Sequence, residues 1–173
     1  MRRLFTVAAA VLAITLMPGS AQAGPATTVT WAGWTPSPSQ PYDQPAGARC
    51  DFPIHVQPIR DEVQFKVLAT YPDGSSKQEI YAGALVLRIT NTNTGAFYDA
   101  DASGTAVIDY GTDGSMTWYV IGPVLIGFKA GGGTLPRGLW VIDGVFRLAF
   151  SPTGFKTLTM VMGYTDNVCD HLT

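Results

Sequence analysis

The sequence contains few of the side chains from which catalytic and metal sites are usually built. It has two histidines and two cysteines in 173 residues. It contains no GxSxG, HExxH or CxxC motif, so neither a serine hydrolase with a nucleophile elbow nor a zinc protease is indicated. The glycine run at residues 131–133 is not followed by the lysine of a phosphate-binding loop. The sequence therefore predicts no cofactor and favours a non-enzymatic protein over an enzyme.

Charge is also scarce and evenly spread. Only 14% of the residues are charged, with 11 basic and 13 acidic side chains and a net charge of −2. Proteins that bind nucleic acid or anionic membranes usually concentrate Lys and Arg in a stripe or patch. No such stripe is present, so neither nucleic acid nor a membrane surface is an expected partner.

The N-terminus carries the one long apolar run of the chain, at residues 4–17. Arg2 and Arg3 precede this run, and Ala21-Gln22-Ala23 follows it. A short basic segment, an apolar run and an A-x-A site are typical of a secretory signal peptide. The run is shorter than the roughly 20 residues that a membrane-spanning helix needs. We therefore predict that residues 1–23 are a signal peptide and that the protein is secreted, extracellular and free of the membrane after cleavage.

The two cysteines, Cys50 and Cys169, lie near the two ends of the remaining sequence. Export takes a protein into a compartment where disulfides persist, which favours a bond between them. A metal site or a reactive thiol is the alternative, although neither cysteine belongs to a CxxC or a close Cys/His cluster. A disulfide here would close a single domain over residues 50–173.

Residues 24–49 differ in character from the segment that follows. Five prolines interrupt them, and we predict an irregular leader with one edge strand as an option over residues 28–31. Its two tryptophans, Trp31 and Trp34, are expected to pack on the domain rather than to form a binding arm.

From Cys50 onwards, apolar residues alternate with polar ones in short runs separated by turn sequences. This period of two predicts an all-β domain, a single antiparallel meander of about nine to eleven strands. One short strand is predicted over residues 80–82. Closing the meander into a barrel removes unpaired edges, so a closed or nearly closed barrel is preferred over a two-sheet sandwich.

Two turn sequences predict specific hairpins. Ser103-Gly104 separates strands predicted at 96–102 and 105–110. Asp143-Gly144 separates strands predicted at 139–142 and 145–150 and is the strongest two-residue hairpin signal in the chain.

The segment containing Asp99, Asp101 and Ser103 is a weak calcium candidate. Oxygen-bearing residues at alternate positions ahead of Gly104 match the start of an EF-hand loop. The twelfth position is Tyr110 instead of the bidentate glutamate, so the match fails there. The alternative is that these side chains lie on the solvent face of a strand, and no metal site is predicted.

Carboxylates and histidines offer little further chemistry. Asp99, Asp101 and Asp109 could lie on one hairpin and provide the acidic pair of a secreted hydrolase or a cyclase-like barrel. His55 alternates with apolar neighbours and should point away from the core, and His171 lies in the C-terminal tail. Both histidines are expected to be ordinary surface residues.

Three aromatic residues in predicted strands are speculative ligand contacts: Trp118, Tyr119 and Trp140. Flat aromatic rings bind sugars and apolar molecules, but they also fill cores. Small residues that should face inward would leave space inside a barrel; they are Ala96, Ala100, Ala102 and Ala106.

Several segments together resemble a group of small secreted bacterial β-rich proteins that has no assigned activity. They are the opening Cys50-x-Phe-Pro-Ile-His-Val, the turn Pro72-Asp73-Gly74, the strand at residues 85–91 and the closing run at residues 164–169. The resemblance covers most of residues 50–170. It implies a cysteine that opens the first strand paired with one near the C-terminus, and it implies no catalytic residues.

These patterns lead us to expect a non-enzymatic extracellular domain that binds a small apolar ligand or a surface component. A carboxylate-dependent hydrolase is one alternative. A protein-interaction module such as a protease inhibitor, which would present the loop at residues 131–137 to an extracellular protein, is another.

Overall fold

The computed structural model describes residues 31–173. The predicted signal peptide and most of the optional strand at 28–31 lie outside these residues. The described chain forms twelve strands and ends in a 3-10 helix, Val168–His171. No helix among the described residues is long and apolar enough to cross a membrane. The strands are β1 (Thr35–Pro36), β2 (Tyr42–Gln44), β3 (Ile54–Asp61), β4 (Gln64–Thr70), β5 (Ser76–Ala82), β6 (Leu85–Asn91), β7 (Phe97–Asp101), β8 (Thr105–Tyr110), β9 (Met116–Ile121), β10 (Val124–Phe128), β11 (Gly138–Phe150) and β12 (Lys156–Asn167).

The strands form two sheets, in which every strand pair is antiparallel. The smaller sheet has the order β2-β3-β6-β7. The larger has the order β1-β4-β5-β8-β9-β11-β10, and β12 pairs with the other edge of β11. The all-β prediction is confirmed. The pairings of residues 31–173 do not close into a ring, so the preference for a barrel is not confirmed.

The predicted hairpin at Asp143-Gly144 is wrong, because both residues lie inside the thirteen-residue strand β11. The first half of β11 pairs with β10, and the second half pairs with β9. The turn between β9 and β10 contacts the middle of β11, because the Gly122 amide donates to the Gly144 carbonyl at 2.8 Å. Asp143-Gly144 is therefore a kink at which a long strand changes partner, and not a reversal of the chain.

The predicted hairpin around Ser103-Gly104 is also wrong. Strand β7 pairs with β6 in the smaller sheet, whereas β8 pairs with β5 and β9 in the larger one. The Ala102 amide donates to the Leu85 carbonyl, and the Gly104 amide donates to the Pro123 carbonyl. Residues 102–104 are thus held at both ends by different elements, and they carry the chain from one sheet to the other.

The described part of the leader contributes two short strands despite its prolines. Strand β1 pairs with β4 and β2 pairs with β3. Trp31 and Trp34 pack edge to face with their ring centroids 5.0 Å apart. The Trp31 amide donates to the side-chain oxygen of the buried Gln64 at 2.9 Å. Residues 31–49 are therefore attached to both sheets.

Two apolar clusters form the core. The first joins the smaller sheet to the start of β11 and to the C-terminal helix, and the second lies on the larger sheet. The first consists of Cys50, Ile54, Val56, Leu87, Ile89, Ala100, Ala102, Leu139, Val141, Val168, Cys169 and Leu172. The second consists of Ala106, Ile108, Val120, Val124, Ile126, Phe128, Ile142, Phe146, Leu148 and Phe150.

The predicted disulfide is present inside the first cluster. Cys50 and Cys169 are both buried, and their Cα atoms are 5.4 Å apart. The bond links residues 119 positions apart in the sequence. A second contact fixes the same end of the chain, since the Asn91 side-chain amide donates to the Leu172 carbonyl at 3.0 Å.

Candidate functional site

An apolar cavity of about 370 Å³ lies between the two sheets. The smaller sheet and its exit contribute Leu85, Leu87 and Ala102 to its wall. The larger sheet contributes the rest of the side-chain lining: Tyr81, Ala106, Ile108, Tyr110, Met116, Trp118, Val124 and Leu125.

The alternation of β8 explains why this space is apolar and open. Ala106, Ile108 and Tyr110 occupy successive inward positions of the strand and line the cavity. Alanine at the first of these positions, and Ala102 on the chain that enters the strand, bring little volume to the gap between the sheets. Small inward residues therefore leave a cavity at these two positions, whereas Ala100 does not line it.

One end of the cavity is aromatic. The ring centroids of Trp118 and Phe150 lie 5.1 Å apart. The indole N–H of Trp118 donates to the Met116 sulfur at 3.4 Å. Tyr81 and Tyr110 complete this end of the lining. An apolar molecule in the cavity would contact ring faces here, which give a large contact area for little loss of side-chain freedom.

The two tyrosines hold a buried carboxylate. The hydroxyls of Tyr81 and Tyr110 each donate to Glu79 Oε2 at 2.8 Å. Glu79 is 8% exposed, and it lies on the inner face of β5 because it pairs in register with Ile108 of β8. The Ser76 hydroxyl also hydrogen-bonds to this side chain.

The hydroxyls keep this carboxylate ionised. Burial alone would raise the pKa of Glu79, but the hydrogen bonds from Ser76, Tyr81 and Tyr110 hold it below its ordinary value. Burial, followed by the hydrogen bond to the carboxylate, raises the pKa of both Tyr81 and Tyr110. At neutral pH the cluster is therefore one anion that accepts hydrogen bonds from neutral tyrosines.

A polar groove meets the cavity at Tyr110. Its wall includes Tyr71, Asp73, Ser76, Glu79 and Tyr110, and its volume is about 600 Å³. Tyr110 lines both spaces, and its carbonyl accepts a hydrogen bond from the Tyr71 hydroxyl at 2.6 Å. The apolar and the polar space thus share a wall at the carboxylate cluster.

Sequence reasoning missed Glu79. The strand predicted at residues 80–82 begins too late, since β5 begins at Ser76. An acidic residue two positions before a tyrosine on one strand face was the available local signal. Its second tyrosine lies 31 residues away in the sequence, so the cluster could not be recognised without the strand pairing.

The structure separates the three predicted aromatic contacts. Trp118 lines the cavity. Tyr119 points to the opposite face of β9, where it is 49% exposed and borders a groove with Ile121 and Val161. Trp140 packs against the second cluster, with its indole N–H donating to the Pro136 carbonyl at 3.1 Å. The three residues do not form one site.

The acidic residues of the calcium and hydrolase hypotheses do not converge either. Asp99 accepts two hydrogen bonds from Arg88, at 2.7 and 2.8 Å, and Asp101 accepts one from the Ser103 amide at 2.9 Å. Asp109 lies in the other sheet and accepts from Gln78 at 2.7 Å. Within residues 31–173 no three His, Cys, Asp or Glu side chains are arranged to hold a metal ion.

The two histidines each contact one carboxylate at the surface. His55 Nδ1 lies 2.7 Å from Asp43, so it points away from the core as predicted. His171 Nε2 lies 2.9 Å from Asp166, and its ring stacks on Tyr98 at 4.6 Å. Neither histidine lines the cavity or the polar groove.

The loop at residues 131–137 is attached to the domain at both ends. The Thr134 amide donates to the Lys156 carbonyl at 2.9 Å, and Leu135 packs against the second cluster. The Arg137 guanidinium contacts the carboxylate of Asp51 and donates to the Cys50 carbonyl. The side chain with which an inhibitor would engage a protease is therefore held against the domain.

No protein-family model, curated protein or solved structure matches this chain. The resemblance to small secreted bacterial proteins stays a prediction.

Proposed function

We propose that this protein is a non-enzymatic binding domain that holds a small, mostly apolar molecule between its two sheets. The observation that carries the proposal is the cavity of about 370 Å³ with its aliphatic and aromatic lining. Pockets that bind small molecules typically measure about 300–1,000 Å³ and combine an apolar lining with a few polar groups.

An empty apolar cavity costs stability, because the residues that line it lack contact partners on one side. A ligand of matching shape restores those contacts and stabilises the folded state in proportion to its concentration and affinity. Binding does not require a closed barrel, since the cavity lies between two separate sheets.

We further propose that the protein is exported. The sequence of residues 1–23 and the disulfide between Cys50 and Cys169 support this proposal. Protein recovered from the culture medium of its host should begin at Gly24. A chain that remains inside the cell with its N-terminus uncut would contradict export without affecting the binding proposal.

Binding can be tested with an uncharged fluorescent apolar probe such as N-phenyl-1-naphthylamine and with native mass spectrometry of protein from its host. We expect one probe molecule per chain and a co-purified small molecule. Ala106→Phe places a ring in the cavity and should abolish probe binding. Circular dichroism of this variant checks that the domain is still folded.

The matched control is Tyr119→Ser, which changes the outer face of the larger sheet. This variant should bind the probe as the unmodified protein does. Probe binding that survives Ala106→Phe and is lost in Tyr119→Ser would move the site to the outer face and overturn the proposal.

A further inference from the structure

We infer that the molecule bound in the cavity carries a hydrogen-bond-donating head group, an alcohol or a protonated amine, which binds at Glu79. We infer equally that molecules with a carboxylate head are rejected. This inference rests on the proposed function, because it assigns the polar end of the same ligand.

The hydrogen bonds of the cluster determine what it can offer a ligand. An ionised carboxylate only accepts hydrogen bonds, and a tyrosine hydroxyl has one proton to donate. The protons of Tyr81 and Tyr110 are both directed to Glu79 Oε2, at 2.8 Å. The cluster can therefore offer a ligand only acceptors, the lone pairs of the two hydroxyls and of the carboxylate. The ligand must supply the hydrogen-bond donor.

Charge favours the same class of head group. The cavity and the adjoining groove are lined by two carboxylates, Glu79 and Asp73, and by no Lys, Arg or His. The ammonium group of Lys77 lies 5.9 Å from the centre of the Tyr71 ring and does not line the groove. A second anion would therefore meet repulsion with no cation in the lining to offset it.

The position of the cluster sets the orientation of the ligand. Tyr110 is part of both the apolar cavity and the polar groove, and Glu79 lines the groove beside it. An amphiphilic molecule can thus place its apolar body against Trp118 and its head at the carboxylate.

A matched ligand series tests this inference. 1-Adamantanol, 1-adamantanamine and 1-adamantanecarboxylate share one apolar body, and each is titrated at pH 7 against the bound fluorescent probe. A hydrogen bond to a charged group justifies an expected preference of about tenfold or more for the alcohol and the amine over the carboxylate. Glu79→Gln should remove most of the preference for the amine, while Glu62→Gln, at an exposed glutamate, should leave it unchanged.

The outcomes separate the two proposals. Equal affinity for the three ligands, or tighter binding of the carboxylate, overturns this inference and leaves the cavity as the binding site. Failure of the unmodified protein to bind the apolar probe overturns the proposed function itself.

Tyr110→Phe provides a second variant if Glu79→Gln does not fold. It removes one donor from the carboxylate and keeps the charge, so the ratio of amine affinity to carboxylate affinity should rise. An unchanged or lower ratio would contradict the assignment of Glu79 as the head-group acceptor.

Discussion

Gly144 of β11 and Gly163 of β12 face each other in register, and their backbones are too close for a Cβ atom on either residue. A Cβ on Gly144 would overlap the Met162 carbonyl oxygen, and one on Gly163 would overlap the Asp143 carbonyl oxygen. Both glycines have positive φ, +133° and +130°. The pair lies where β11 exchanges β10 for β9 as its partner, so the kink in the larger sheet depends on one residue from each of two consecutive strands.

The first prediction is that Gly163→Ala strongly destabilises the domain. The φ value is one that only glycine adopts readily, and strain of this kind together with the overlap should lower the free energy of unfolding by about 3 kcal/mol or more. Urea denaturation followed by tryptophan fluorescence measures the loss.

Gly154→Ala is the matched control. Gly154 also has positive φ, +81°, but no atom lies within 4 Å of the position its Cβ would take. The Gly154→Ala substitution should therefore lower the free energy of unfolding only by the cost of a left-handed backbone conformation, about 1–2 kcal/mol. Equal losses for the two variants would show that the contact between the strands is not what requires glycine at position 163.

The second prediction concerns the disulfide between Cys50 and Cys169. Replacing both with alanine releases a loop of 119 residues, and the chain-entropy model assigns roughly 4–5 kcal/mol to closing such a loop. The melting temperature should fall sharply in the double variant. Dithiothreitol should lower the melting temperature of the unmodified protein and not that of the variant; a reductant response shared by both proteins would point to another cause.

Strands could be predicted well from the sequence because the alternation of apolar and polar residues is local. The predicted span at 105–110 coincides with β8. The pairing of strands could not be predicted in this way. Asp143-Gly144 has the composition of a hairpin turn, yet Gly144 pairs with Gly163 of β12 and the strand continues through a kink. The pairing of two strands overrides the local preference here.

In the candidate site, too, the features set by local alternation could be predicted and those set by strand pairing could not. The alternation along β9 places Trp118 and Tyr119 on opposite faces of the strand, and the structure has them there. Glu79 was not predicted, because its significance depends on Tyr110 of another strand. The hydrolase alternative required the three aspartates to share a hairpin, and they lie on two sheets because residues 102–104 cross between the sheets.

The third prediction is a contribution of Glu79 to acid stability. Its pKa in the folded protein lies below the ordinary value of 4.5, so the unfolded chain binds a proton first as the pH falls. The stabilisation is complete above the ordinary pKa and is lost as the pH drops through the lowered one. The stability difference between the unmodified protein and Glu79→Gln should therefore shrink between about pH 6 and about pH 3.

Urea denaturation of both proteins across this range measures the difference. Asp73, Asp99 and Asp113 also have lowered pKa values, but they titrate in both proteins and cancel in the comparison. A stability difference that stays constant or grows in acid would contradict the ionised state assigned to Glu79.

The fourth prediction is that calcium does not stabilise the protein. Asp99 is bound by Arg88, which holds the pKa of this carboxyl below its ordinary value, and Asp101 caps the turn at Ser103. Thermal melting should be the same in calcium chloride and in EDTA. A rise of more than about 2 °C in calcium would mean that an ion binds the folded state, and an EF-hand protein measured in parallel verifies the assay.

The fifth prediction uses two alanines to test whether the space between the sheets is empty. Ala106 lines the cavity, whereas Ala100 is 1% exposed in the first cluster. Extra methyl groups in a packed core cost about 1–3 kcal/mol, so Ala100→Leu should destabilise by about that amount. In Ala106→Leu the same groups enter the cavity and gain contacts there, so the loss should be smaller or reversed. Urea denaturation of both variants compares the two costs. The added volume is identical in the two variants. Similar losses in the free energy of unfolding would therefore mean that the cavity does not accept the leucine side chain, and this result would remove the physical basis for ligand binding.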